Sequence, residues 1–155
     1  MFTPGFSLAG LAVSLAVLAP NLALVWAPPR DRTAITVKVP LPVSALERVG
    51  QVGCLVLPAI SGTRGHVDAW LVLVVLLVAT YHGLWVRYLR TGRRAAQLFA
   101  PLGPVPVPMA VVPVLAFLVA AIWLSTWPLA VASALLAVGH VTTAARTAHA
   151  LARER

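Results

Sequence analysis

The sequence predicts an all-α membrane protein built as a bundle of five transmembrane helices, and three observations lead to this fold class. The 155 residues are 60% hydrophobic and only 10% charged, whereas soluble domains carry about 25% charged residues. Long uncharged stretches recur along the chain, and most of them lack the polar face of a soluble helix. Basic residues gather at the ends of these stretches, as they do beside membrane spans.

Four stretches are long and apolar enough to be read directly as spans, and they cover residues 6–27, 67–89, 108–124 and 127–145. A helix rises 1.5 Å per residue, so about 20 residues cross a hydrocarbon core of about 30 Å. Prolines mark several boundaries. Pro28 and Pro29 follow the first stretch, and Pro108 opens the fourth, where its missing N–H costs nothing.

The segment ALERVGQVGCLVLP, residues 45–58, is harder to assign because it contains Glu47 and Arg48. Counting charges resolves it. If residues 43–61 cross, eleven Lys and Arg residues lie on one side and Arg64 alone on the other, whereas without this crossing the split is five to seven. Because positive residues favour the cytoplasmic side, we predict five spans, with the N-terminus outside and the C-terminus cytoplasmic.

The chain is therefore predicted to form one transmembrane domain, residues 1–155, as a multi-pass protein of the cell membrane. Residues 28–42 and 90–107 would be cytoplasmic loops, and residues 146–155 a cytoplasmic tail that continues the last helix. The net charge of +8 follows from the positive-inside distribution. A nucleic-acid footprint would need a basic face on a folded polar domain, so we expect no nucleic-acid partner.

Hydrogen-bonding side chains recur at one depth of the predicted bundle. Asn21, His82 and His140 each lie five or six residues before the cytoplasmic end of their span, which is about 8 Å at 1.5 Å per residue. Glu47 and Gln51 enter the same layer from the second span. We predict that these five side chains form a polar cluster and that Glu47 pairs with one histidine, because an isolated charge is costly there.

The predicted cluster has two interpretations. One is a protonatable transport or ligand site. The other is that its members only bond to backbone carbonyls freed by Pro20 and Pro58 and so hold the helices together. A second set of polar residues is the basic run at the end of the third span, Arg87, Arg90, Arg93 and Arg94. This run suits anionic phospholipid headgroups, and an ordinary stop-transfer boundary explains it equally well.

Several short motifs together resemble a family of small, uncharacterised bacterial multispan integral membrane proteins. They are Pro20-Asn21, Glu47-Arg48-x-Gly50, Tyr81-x-x-x-Trp85, Pro108 and Pro113 with Phe117, and Gly139-His140. The resemblance implies a shared fold and brings no known activity, cofactor or catalytic residue.

Two function classes remain open. The first is a non-enzymatic helix bundle that binds lipid, another membrane protein or a second copy of itself. The second is a small carrier or channel-like protein that uses the polar layer. An enzyme is not expected, because the chain lacks a His-Glu-x-x-His helix, a Gly-x-Ser-x-Gly elbow and a phosphate-binding glycine loop. We expect neither a metal nor a cofactor.

Overall fold

The computed structural model describes residues 4–31, 37–63 and 65–153. Arg32, Arg64 and Arg155, which entered the charge count, lie outside these ranges, as do parts of the predicted loop 28–42 and of the tail. Every regular element in the described ranges is helical, and these ranges contain no β-strand. The predicted all-α class is confirmed.

Five long helices and one short helix make up the structure. Three of the long helices are long and apolar enough to cross a membrane: α1, Leu8–Trp26; α3, Ala69–Arg90; and α6, Trp127–Arg153. The helix α5, Pro108–Trp123, is apolar but shorter. The helix α2, Leu41–Val56, carries Glu47 and Arg48, and α4, Ala95–Leu98, is a single turn.

The bounds of α2 differ from the predicted span, residues 43–61. The helix begins at Leu41 and ends at Val56, and residues 57–60 form turns. Pro58 explains the early end, because it has no N–H to donate to the carbonyl of Cys54 one turn earlier. At its other end α2 has Pro42 in the first turn, where a proline is tolerated.

Hydrogen bonds between distant segments define two ends of the bundle. At one end, Gly5 N donates to Ile60 O at 3.0 Å and Thr63 Oγ1 donates to Leu124 O at 2.9 Å. Trp123 Nε1 donates to the His66 carbonyl at 2.7 Å. We call this the Trp123 end; it comprises residues 5–7, 59–63, 65–66 and 123–126.

The opposite end joins the basic segments. Tyr88 Oη donates to Ala27 O at 2.9 Å, and Arg30 N donates to Arg93 O at 2.9 Å. We call this the arginine end; it comprises residues 27–31, 87–107 and 144–153. The five long helices run alternately between the two ends, as the predicted connectivity requires.

The helices pack as a layer that α1 crosses obliquely. Within the layer α2 packs on α6, α6 on α5, and α5 on α3. At the Trp123 end α1 lies against the end of α2, where Ser7 N donates to Ala59 O at 2.8 Å, whereas at the arginine end α1 is bonded to α3. Parts of α2 remain uncovered, and Val52 is 62% exposed.

Glycines set the closest helix contacts. A Cβ on Gly50 would overlap the backbone of Leu136, and one on Gly139 would overlap the backbone of Glu47. Both glycines are buried. The helices α2 and α6 can approach this closely only because neither glycine carries a side chain, and this approach holds Glu47 against α6.

Candidate functional site

The polar residues of α2 and α6 meet where the two helices are closest. His140 Nδ1 lies 2.7 Å from Glu47 Oε1, and Thr143 Oγ1 donates to Glu47 Oε2 at 2.8 Å. Each carboxylate oxygen thus has one protein partner. The side chains of His140 and Glu47 are 40% and 22% exposed, respectively, so the pair is not sealed inside the bundle.

A local change in α6 positions His140. Residues Ala137–Val141 form a π-helical turn within an otherwise α-helical segment. A π turn holds one more residue than an α turn and frequently occurs at functional sites. Gly139 lies in this turn against the Glu47 backbone, so the widened turn and the glycine together place the His140 ring beside the carboxylate.

A second polar contact joins α1 to α3. Tyr81 Oη donates to Asn21 Oδ1 at 2.9 Å, and Asn21 Nδ2 donates to the Val17 carbonyl one turn earlier at 3.0 Å. Asn21 lies in the 3₁₀ segment Ala19–Leu22, which interrupts α1 around Pro20. The phenol and the amide therefore fasten α1 where its α-helical geometry is broken.

A small cavity lies between these two contacts and is lined by residues of all five long helices. Its volume is about 70 Å³, and its polar walls include Asn21 of α1, Gln51 of α2, Tyr81 of α3 and His140 of α6. The α5 wall is apolar and includes Phe117. A polar cavity needs a volume of more than about 15 Å³ to hold a water molecule. The volume of this cavity is therefore enough for a few waters or a small solute.

A neighbouring cavity of about 150 Å³ extends towards the arginine end and shares Asn21, Tyr81 and His140 with the first. Trp85 also lines it and is only 4% exposed. The Trp85 Nε1–H finds no hydrogen-bond partner within the described part of the chain. A buried donor without a partner is costly; the Trp85 side chain lines the cavity, but its Nε1 atom is itself shielded from solvent.

The structure brings most of the predicted cluster together. Asn21, Gln51 and His140 line one cavity, and Glu47 is connected to it through His140. His82 is the exception: its Nδ1 lies 2.9 Å from the Val78 carbonyl of its own helix, and it lines neither cavity. The histidine that pairs with Glu47 is thus His140.

Both interpretations of the polar layer find partial support. Asn21 and His82 bond to carbonyls of the preceding turn, as the packing interpretation expects, although the acceptors are Val17 and Val78 rather than carbonyls freed by proline. The Glu47–His140 pair and the cavity favour a site.

Sequence reasoning missed Tyr81, Trp85 and Thr143 as members of this region. A signal was present for the aromatic pair, because Tyr81, Trp85 and Tyr88 follow helical spacing on one face and stack edge to face, with centroids 6.3 and 5.8 Å apart. Thr143 lies one turn after His140, which is the spacing of side chains that share a helix face.

The basic run at the arginine end is only partly free to meet lipid. Arg87 donates to the Ala100 carbonyl at 3.2 Å and so fastens the segment after α4. Arg93 has φ of +53° and accepts from Arg30 N through its carbonyl. Arg90 and Arg94 are exposed. Binding of anionic headgroups by these four arginines stays a prediction.

Within the described ranges, no group of three or more His, Cys, Asp or Glu side chains is placed to hold a metal ion. The chain matches no protein-family model, no curated protein and no solved structure. The resemblance to small bacterial multispan membrane proteins therefore stays a prediction.

Proposed function

We propose that the chain spans the membrane five times, with its N-terminus outside and its C-terminus cytoplasmic. Two observations support this topology. Five long helices run alternately between the two ends, and three of them have the length and apolarity of spans. The described Lys and Arg residues lie at or towards the arginine end, and none of them lies at the Trp123 end. The positive-inside rule makes the arginine end cytoplasmic.

For function we propose a non-enzymatic, proton-linked carrier of a small polar solute in the cell membrane. The observation that carries this proposal is the cavity to which all five long helices contribute, with polar walls from four of them. Polar side chains inside a membrane bundle are costly unless they serve packing or a pathway. A site shared by every helix is one that a relative movement of the helices would open or close.

The arrangement assigns separate roles to its residues. Asn21 and Gln51 offer hydrogen bonds to a solute in the first cavity. His140 lies between cavity and carboxylate, so a proton taken by the Glu47–His140 pair would change the charge next to the solute. The Thr143 hydroxyl lies 2.8 Å from the second carboxylate oxygen and 2.9 Å from the Gly139 carbonyl, so it orients the ionised Glu47 when it donates to the carboxylate.

The two histidines of the polar layer provide a matched test. Purified protein is reconstituted into liposomes that contain a pH-indicating dye, a mixture of amino acids and sugars is added outside as probe solutes, and a potassium gradient with valinomycin drives proton entry. We expect H140Q and E47Q to slow protein-dependent acidification at least ten-fold, because each removes one member of the pair. We expect H82Q to stay within two-fold of wild type, because His82 lines neither cavity.

The acidification rates of the variants can be compared when every variant elutes from gel filtration at the same volume as the wild type. Equal loss in H140Q and H82Q would mean that the effect is not specific to the pair. Wild-type protein that acidifies liposomes no faster than empty liposomes would contradict the proposal outright.

The exposure of Gln51 favours a second candidate, association with another membrane helix. Gln51 is exposed on α2, beside the exposed Val49 and Val52. An amide that faces lipid gains a hydrogen bond when a partner helix covers it. Under this alternative, Q51L would abolish the co-purification of a partner protein in mild detergent, or would lower the mass of an oligomer to that of the monomer. Proton flux would then have no specific role in the function of the protein.

A further inference from the structure

A groove at the arginine end adjoins the 150 Å³ cavity at Phe99, which lines both. One wall is formed by residues 96–107, which include Phe99 and Val107, and the other by residues 145–152 of α6, which include Ala148 and Leu151. The groove has a volume of about 380 Å³, and His149 is its one titratable lining residue. This volume falls in the range of about 300–1,000 Å³ that is typical of ligand sites.

The groove is bordered by positive charge. A recess that shares His149 with the groove is lined by Arg146 and Arg153. Both arginines and His149 are exposed, and no described carboxylate lies within ion-pair distance of either arginine. Among residues 4–31, 37–63 and 65–153, no acidic residue lines the groove or the recess. The surface thus combines an apolar cleft with a cationic rim.

We propose that this surface binds an anionic phospholipid of the cytoplasmic leaflet, with its phosphate at Arg146 and Arg153 and an acyl chain in the groove. Charge complementarity selects this occupant, because basic pockets on the cytoplasmic side of membrane proteins bind anionic headgroups. The shape agrees: the cleft beside the basic rim accepts a chain, which a soluble phosphate lacks. The position at the cytoplasmic leaflet rests on the topology proposed above.

Lipid binding is measured by native mass spectrometry of the full chain in a nonionic detergent, with phosphatidylglycerol or phosphatidylcholine added at known concentrations. We expect wild type to retain phosphatidylglycerol in preference to phosphatidylcholine. R146Q/R153Q should weaken phosphatidylglycerol binding about 30-fold, the change that corresponds to about 1 kcal/mol for each arginine near anionic lipid.

Two control variants locate the effect. R30Q/R48Q removes the same charge from exposed positions that line neither groove nor recess, and we expect it to bind phosphatidylglycerol within three-fold of wild type. A152W keeps every charge and fills the groove from its exposed rim, and we expect it to weaken binding at least ten-fold. Circular dichroism of each variant checks that the helices are retained.

The proposal is overturned if both lipids bind equally well, or if R30Q/R48Q loses as much affinity as R146Q/R153Q. It is also overturned if wild type appears as a dimer that A152W dissociates, because a second copy would then be the occupant. The measurement needs neither a membrane potential nor proton flux, so its failure would leave the proposed carrier function to be tested separately.

Discussion

At the scale of single residues, glycine decides whether the candidate site can form. Glu47 reaches His140 and Thr143 because Gly139 lets the α2 backbone approach α6 without a side chain between them. The same helix pair is also held by Ser133, whose Oγ lies 3.6 Å from Cys54 Sγ. The close glycine contact and the polar side-chain contacts thus lie on the same two helices, α2 and α6.

The first prediction concerns Gly139. We expect G139A to destabilise the protein by about 1–3 kcal/mol, because an added methyl would overlap the Glu47 backbone. Adding a methyl group to a tightly packed interface costs free energy of this order. Thermal unfolding in detergent measures the change. G83A is the matched control, since a Cβ on Gly83 meets no atom within 4 Å; a loss of stability as large as that of G139A would contradict the argument.

The second prediction concerns the bond between α1 and α3. Y81F removes the hydroxyl that donates to Asn21, and we expect it to lower the free energy of unfolding by about 0.6 kcal/mol and by no more than about 1.7 kcal/mol, the range measured for hydrogen bonds between membrane helices. T80V is the neighbouring control, because Thr80 is exposed and bonds only to the Leu76 carbonyl of its own helix. If T80V lowers the free energy of unfolding as much as Y81F does, the Tyr81–Asn21 hydrogen bond makes no separate contribution to stability.

The residue scale also shows what sequence reasoning reached and where it stopped. Counting residues from the span ends placed Asn21, Glu47, Gln51 and His140 at a common depth, and the structure brings these four to one region. Depth along an axis does not fix the angle around it, and successive helical residues differ by about 100°. Tyr81 faces the cavity, and the next residue, His82, is directed elsewhere.

At the scale of elements, α1 is the least firmly packed of the long helices. It contacts the end of α2 at the Trp123 end and α3 at the arginine end, and its middle is broken by the 3₁₀ segment around Pro20. A cavity wall supplied by such a helix can move more easily than one supplied by α5 or α6. A carrier needs at least one element of this kind.

The third prediction tests how α1 is held. A Cβ on Gly10 would overlap the carbonyl of Pro58, so we expect G10A to push α1 away from the end of α2. Hydrogen exchange should become at least ten-fold faster for amides in residues 8–18 and change little in α5. The control is A12V, which adds bulk to an exposed position of the same helix and should leave exchange unaltered. Unchanged protection in G10A would show that this contact does not hold α1.

Element bounds could be read from the sequence where a proline or a charge marks a boundary, and less well elsewhere. Pro108 begins α5 as predicted. The predicted second span ends at Ser61, but Pro58 ends the helix α2 at Val56. A local backbone constraint thus outweighs the length that a span prefers. The π turn at Ala137–Val141 has no sequence signature that periodicity could detect.

At the scale of the whole molecule, charge and connectivity agree. The segments rich in arginine meet at one end, and the short turns without described Lys or Arg meet at the other. This pattern could be predicted from the sequence, because the positive-inside rule depends on counts rather than on contacts. The exposure of Gln51 could not, because it depends on how the side chains of neighbouring helices fit together.

The central claim is that the segment containing Glu47 crosses the membrane and sends the two ends of the chain to opposite sides. The most direct test replaces Cys54, the single cysteine, by alanine and introduces one cysteine at the exposed position Pro4 or Ala152. Intact cells are treated with a membrane-impermeant maleimide. The five-span topology predicts that P4C is labelled in intact cells and that A152C is labelled only after the cells are opened. Labelling of both positions in intact cells, or of neither, would contradict it.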